Sequence, residues 1–84
     1  MRTLELLDYL IDVARRIGFE IREEWLDGMG AGACQIKGHR VLFVDQSLPP
    51  SDRVDQIAQA LRGRDELATI YILPEARAIL DKAA

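Results

Sequence analysis

Apolar residues recur every three to four positions at the start of the chain. Leu4, Leu7, Ile11 and Ala14 form one stripe, and Leu10 and Ile17 widen it. The spacing predicts an amphipathic helix over 4–17. Thr3 is the expected N-cap, and Glu5 in the first turn and Arg15 and Arg16 in the last complement the helix dipole. Gly18 fits the left-handed position after a helix, with Phe19 as the apolar contact that follows it. The period then changes to two. Phe19 and Ile21 fall on one face, Glu20 and Arg22 on the other, and Trp25 keeps the parity of Phe19, which predicts a strand over 19–26. Further on, Val54, Ile57, Ala58 and Leu61 repeat the helical spacing. This second helix begins at Pro50 or Ser51 and ends at Gly63.

The segment between these elements is the most informative. Gly28, Gly30 and Gly32 alternate with Met29, Ala31 and Ala33, and a hairpin follows. Placing Gly38 first in a two-residue turn suits type II′ geometry. That register pairs Ile36 with Val41, Gln35 with Leu42 and Cys34 with Phe43, over strands 33–37 and 40–45. Cys34, Ile36, Val41 and Phe43 then share one apolar face. The prolines at 49 and 50 stiffen the link to the second helix. Residues 65–67 suggest one helical turn, and 69–73 an extended segment, either an edge strand or coil against the core. Pro74 opens a last helix, to about Lys82, carrying Ile79 and Leu80.

Eighty-four residues suffice for one domain with one core. The expected fold is α+β: a three-stranded, mainly antiparallel meander packed against two amphipathic helices, with a short C-terminal helix that closes an edge or docks on a partner. No apolar run approaches the ~20 residues needed to cross a bilayer, so no membrane association is expected. The acid at Glu5 argues against a signal peptide at Met1. Fourteen acidic residues against eleven basic give a net charge of −3, which lacks the cationic surplus of a nucleic-acid binder. The basic residues are scattered, as Arg15/Arg16, Lys37/Arg40 and Arg62/Arg64, and read as solvated surface and helix C-terminal charge rather than as a phosphate-binding patch. One cysteine cannot form an internal disulfide, and a reducing cytoplasm is the default compartment.

Each chemically suggestive residue has a plainer reading. Cys34 and His39 lie more than about 10 Å apart in the expected register, beyond the ~3 Å of a nucleophile–base pair. Cys34 therefore reads as a small buried apolar group. His39, with Asp27 and Asp45, falls short of a metal-ligand set, so no metal or other cofactor is expected. Gly28, Met29, Gly30, Ala31 and Gly32 resemble half of a phosphate loop. A strand follows instead of the helix whose N-terminus would face the phosphate, so the segment reads as a connector or flap. Trp25 and Met29 beside it are core residues or an interaction anchor. Asp8 and Asp12 face away from the apolar stripe as solvated charge.

The order helix, glycine-bounded strand, glycine loop, hairpin and helix resembles the N-terminal half of the ImmA/IrrE-type zinc peptidases. The run matching the lead-in to that family's HExxH motif is 53–63, beginning at Arg53-Val54-Asp55-Gln56-Ile57-Ala58. The family's first histidine, glutamate and second histidine fall on Gln59, Ala60 and Gly63. The resemblance therefore carries no peptidase activity across. From about residue 5 to residue 80 the chain also resembles small bacterial proteins with a glycine-rich loop, a single cysteine and a strand like Arg40–Asp45, which brings no activity. The expected function is a non-catalytic protein-interaction module or accessory subunit, self-associating as a homodimer or binding a protein partner through Trp25, Gly28, Met29, Gly30, Gly32, Cys34 and His39. The alternative is a small-molecule binder or weak enzyme with the 28–34 loop as a flap over a pocket.

Overall fold

The computed structural model describes residues 1–29 and 32–82. Its elements run α1 (Thr3–Arg16), β1 (Phe19–Glu24), β2 (Gly32–Ile36), β3 (His39–Asp45), α2 (Pro50–Leu61), a 3₁₀ turn (Asp65–Thr69) and α3 (Pro74–Leu80). The α+β class and the three-stranded sheet agree with the sequence reading. The meander does not. The strand order is β1-β3-β2, and β1 runs parallel to β3 while β2 runs antiparallel to it. The hairpin closes as expected, but the connection from β1 steps over the end of β3 and lands on its far side.

Local chemistry explains the ends of the elements. At the start of α1 the Arg2 N–H donates to the Glu5 carboxylate, so Glu5 rather than Thr3 closes the first turn. Ile17 and Gly18 donate to the Val13 and Arg15 carbonyls, which ends the helix where the glycine predicted. Pro49 precedes α2 as its cap, and Pro50 is its first residue, where a missing N–H costs nothing. Residues 70–73 form no strand. Ile72 is buried, the Leu73 N–H donates to the Tyr9 hydroxyl, and the segment lies against the core as coil.

One helical layer covers one face of the sheet. Leu7, Leu10, Ile11 and Ala14 from α1, Val54, Ile57, Ala58 and Leu61 from α2, and Phe19, Leu42 and Val44 from the sheet form a single core. Ala76 and Leu80 of α3 join it, so α3 packs on the helical layer instead of closing a sheet edge. No helix among the described residues is long and apolar enough to cross a membrane.

The hairpin register differs from the expected one. The central turn residues are Lys37 and Gly38, both with positive φ (50° and 82°), the type I′ arrangement that suits a right-twisted hairpin. Gly38 thus takes the second turn position. The pairs become Ile36 with His39, Gln35 with Arg40, Cys34 with Val41, Ala33 with Leu42 and Gly32 with Phe43. Side-chain alternation is unchanged, because each residue's partner moves by two. Cys34, Ile36, Val41 and Phe43 still share a face, but Leu42 and Val44 point into the core, so theirs is the face without helices.

Truncation separates the two faces. Leu42→Ala, at a fully buried central position, is expected to lower stability by about 2–5 kcal/mol in urea unfolding. Ile36→Ala, on the uncovered face, is expected to change it by no more than about 0.5 kcal/mol.

Candidate functional site

The β1–β2 connection is built around Asp45, the last residue of β3. Its side chain is fully buried, yet it meets no cation among the described residues. Backbone donors satisfy it instead. The Leu26 N–H donates to Oδ1 at 3.0 Å and the Gly28 N–H to Oδ2 at 2.6 Å. Ser47 adds its N–H at 2.9 Å and its hydroxyl at 2.7 Å, both to Oδ1. Burial alone would raise the carboxyl pKa, but the Ser47 hydroxyl and the three backbone N–H groups outweigh it and lower the pKa to about 2. From α2, Gln56 accepts the Asp45 N–H at 3.3 Å. A turn closed by the Met29 N–H on the Leu26 carbonyl, with Asp27 and Gly28 both at positive φ, presents these donors.

Trp25 and Met29 flank this turn and are 72% and 75% exposed, so of their two expected roles the core packing does not hold. The Leu26 and Gly28 N–H groups bond to Asp45 and fix the turn without burying Trp25 or Met29. Gly28 supplies one of those bonds, and Gly32 begins β2. Gly30 and Ala31 lie outside the described residues, and with them the middle of the expected flap.

Cys34 is exposed, which corrects its expected burial. It sits at the centre of an edge strand, on the face that no helix among the described residues covers. His39 is exposed at the start of β3. The true register makes it a diagonal neighbour of Cys34, roughly 7–8 Å away between backbones and closer than expected, though no hydrogen bond joins them. Among the described residues no group of three or more His, Cys, Asp or Glu side chains is placed to hold a metal ion.

Strand β2 itself is the least covered element. Gly32 is half-buried and Ala33, Cys34, Gln35 and Ile36 are exposed. The turn pair Ile36–His39 is hydrogen-bonded, and bonded pairs alternate along an antiparallel ladder. Ala33 and Gln35 therefore direct their N–H and C=O groups away from β3, to the open edge. That edge carries no charge. The opposite edge, β1, bears Glu20, Arg22, Glu23 and Glu24.

Two pockets meet β2 and share Ala33. One, about 290 Å³, lies against α2 and is lined by Gly32, Ala33, Gln56, Gln59 and Ala60. The other, about 310 Å³, is lined by Phe19, Ala33, Cys34, Gln35, Arg40 and Arg64. Two arginines read as solvated surface from sequence are thus brought together. The Arg40 guanidinium lies 5.7 Å from the Phe19 ring centroid and that of Arg64 lies 4.7 Å from it. Arg40 Nη1 donates to the Ile17 carbonyl at 3.0 Å and pairs with Glu66 at 2.5 Å. That hydrogen bond holds the Glu66 pKa below the usual carboxylate range. Sequence reading had no access to this cluster, because Phe19 lies in β1, Arg40 in β3, Glu66 in the 3₁₀ turn and Arg64 in the link before it. Asp45 left a faint signal: an acid that ends an apolar strand, with serine two residues on.

Comparison with known protein families, curated proteins and solved structures finds no match to this chain.

The Asp45 carboxylate sets an acid limit. Its pKa is lower in the folded chain than the ordinary 3.8, so the stability it contributes is present above about pH 4 and lost as the pH falls toward 2. Acid titration of the folded fraction should show a destabilising limb in that window. Asp45→Asn is expected to lower the urea midpoint at neutral pH and to flatten that limb.

Proposed function

We propose that this chain is a non-catalytic interaction module, and that its contact is strand addition at the outer edge of β2 by a second copy of itself. The observation that carries this reading is the uncharged, uncovered edge of Gly32–Ile36. An open row of backbone donors and acceptors is a template for another strand, and proteins commonly blunt such edges with charge, proline or a covering loop. β1 is blunted by four charged residues, whereas β2 has neither charge nor proline.

Charge selects the occupant. Joining β2 to β1 of another copy would set acids against an uncharged strand and propagate open-ended assembly. Antiparallel pairing of β2 with itself sets neutral against neutral and closes after two copies. The outward groups at Ala33 and Gln35 dictate the register: Ala33 of one copy exchanges hydrogen bonds with Gln35 of the other. Cys34 then lies opposite its own counterpart at a non-hydrogen-bonded pair, with Cα atoms about 4.5 Å apart. The two copies form one six-stranded sheet with the Trp25 and Met29 loops exposed on it.

Sedimentation from low micromolar to near-millimolar concentration is expected to show a reversible monomer–dimer equilibrium. Mild oxidation should trap the dimer as a Cys34–Cys34 disulfide, since the expected Cα separation lies within the ~4.4–6.8 Å that a disulfide spans. Gln35→Pro removes only an outward N–H and leaves the β2–β3 ladder intact, so it should yield a folded monomer. A wild-type protein that is monomeric at every concentration, or a Gln35→Pro variant that still dimerises, would overturn the reading.

A further inference from the structure

We propose that the pocket between the end of α2 and the edge of β2 is a seat for a small oxyanion, a phosphate or carboxylate group, held by the guanidinium of Arg64 with help from Arg40. This rests on no part of the strand-pairing reading. The pocket wall is built from residues fixed for other reasons. Phe19 is buried at the start of β1 and gives an aromatic floor. Arg40 is drawn to that floor by the Ile17 carbonyl and Glu66. Arg64 is aimed by the helix end. After the last residue of α2 the chain reverses at Gly63, the Arg64 N–H donates to the Leu61 carbonyl, and the Arg64 Nε donates to the Ala60 carbonyl at 2.7 Å.

That arrangement leaves donors over. A guanidinium has five N–H groups in one plane. Arg64 uses only Nε among the described residues, so both terminal nitrogens stay available. Stacking on a ring occupies the guanidinium face and leaves its in-plane donors open, the geometry that matches a carboxylate or phosphate edge. Charge is also left over. Two cations and one carboxylate, Glu66, give a local surplus of one positive charge in a chain whose net charge is −3. No acidic residue occurs between Asp27 and Asp45, so the hairpin wall offers no further neutralising group. The Gln35 carboxamide on that wall adds a neutral donor. A volume of about 310 Å³ stands at the lower end of small-molecule pockets, which fits a compact ligand.

The test is a ¹H–¹⁵N titration with inorganic phosphate and, separately, with acetate, each against sodium chloride at matched ionic strength. Saturable shifts at the Ala33, Gln35 and Arg64 amides are expected. Response to phosphate alone assigns the seat to phosphate groups, to acetate alone to carboxylates, and to both to either. Arg64→Gln should weaken binding by about tenfold or more. Arg62→Gln, whose Nε instead donates to the Ile79 carbonyl, should leave it unchanged. Arg64→Lys keeps the charge without the fork and should bind at an intermediate level. No saturable response to either anion, or equal binding by wild type and a folded Arg64→Gln variant, would overturn the proposal. Sedimentation of Arg64→Gln keeps the two readings apart, because dimerisation should persist when the anion seat is lost.

Discussion

The buried carboxylate of Asp45 is the point on which the arrangement of the sheet turns. β1 and β2 flank β3, so the chain between them must cross about two strand spacings, roughly 9–10 Å, over the end of the central strand. A crossing of this kind brings backbone N–H groups over a sheet end where no strand can receive them. Asp45 stands at that end, and its two oxygens take the donors of Leu26 and Gly28. An amide or apolar residue there would leave buried donors short of acceptors. The anion is stabilised by dipoles rather than by a cation, and this explains how it remains ionised in full burial. Through Gln56, the same residue ties the crossing to the second helix.

Uneven coverage follows from having three strands and one helical layer. α1 sits over β1 and α2 over β3 and the start of β2, and the hairpin end of β2 extends past them. The outer part of β2 is thus bare on both faces and along its edge. Its helix-side face opens into the pocket beside α2, and its other face joins Val41 and Phe43 in an uncovered sheet surface. Val41 is buried there by its neighbours alone, since it belongs to the central strand but not to the main core. On the same face Arg22 lies over the Phe43 ring, 5.8 Å from its centroid.

What was legible in the sequence is what repeats within a single element. The stripes of α1 and α2, the prolines that start α2 and α3, and the glycine after α1 are local signals, and the structure agrees with each. Strand order is different, because the pattern of Phe19–Glu24 is equally compatible with a neighbour on either side of β3. The hairpin went astray by one turn position. Lys37-Gly38 takes type I′ geometry even though lysine is an unusual residue at positive φ, and glycine alone could not say whether it came first or second. That slip preserved the faces, so the missing cover on the Cys34 face has a different cause. Burial of Cys34 was inferred from apolar neighbours, and apolar neighbours on a sheet do not establish that anything covers them. The Arg40–Arg64–Phe19 cluster was out of reach for a further reason: it exists only because β1, β3 and the end of α2 converge.

Several arginines act as backbone ligands in this fold. Arg16, Arg40, Arg53, Arg62, Arg64 and Arg77 all donate to carbonyl oxygens, largely at loops and helix ends. Two of these also pair with acids, Arg16 with Asp12 and Arg40 with Glu66, and the chain as a whole keeps a net charge of −3. Two approaching copies therefore repel one another over most orientations, within the short range that salt allows. The stretch from Gly28 to Val44 is locally positive, since it contains Lys37 and Arg40 and no acid. In the proposed self-pairing both hairpins carry the same positive charge, so long-range charge does not select that surface. The selection rests on the open backbone of β2, which offers the directional bonds. The same distribution places the proposed anion seat, beside that edge, in a locally positive part of an acidic protein.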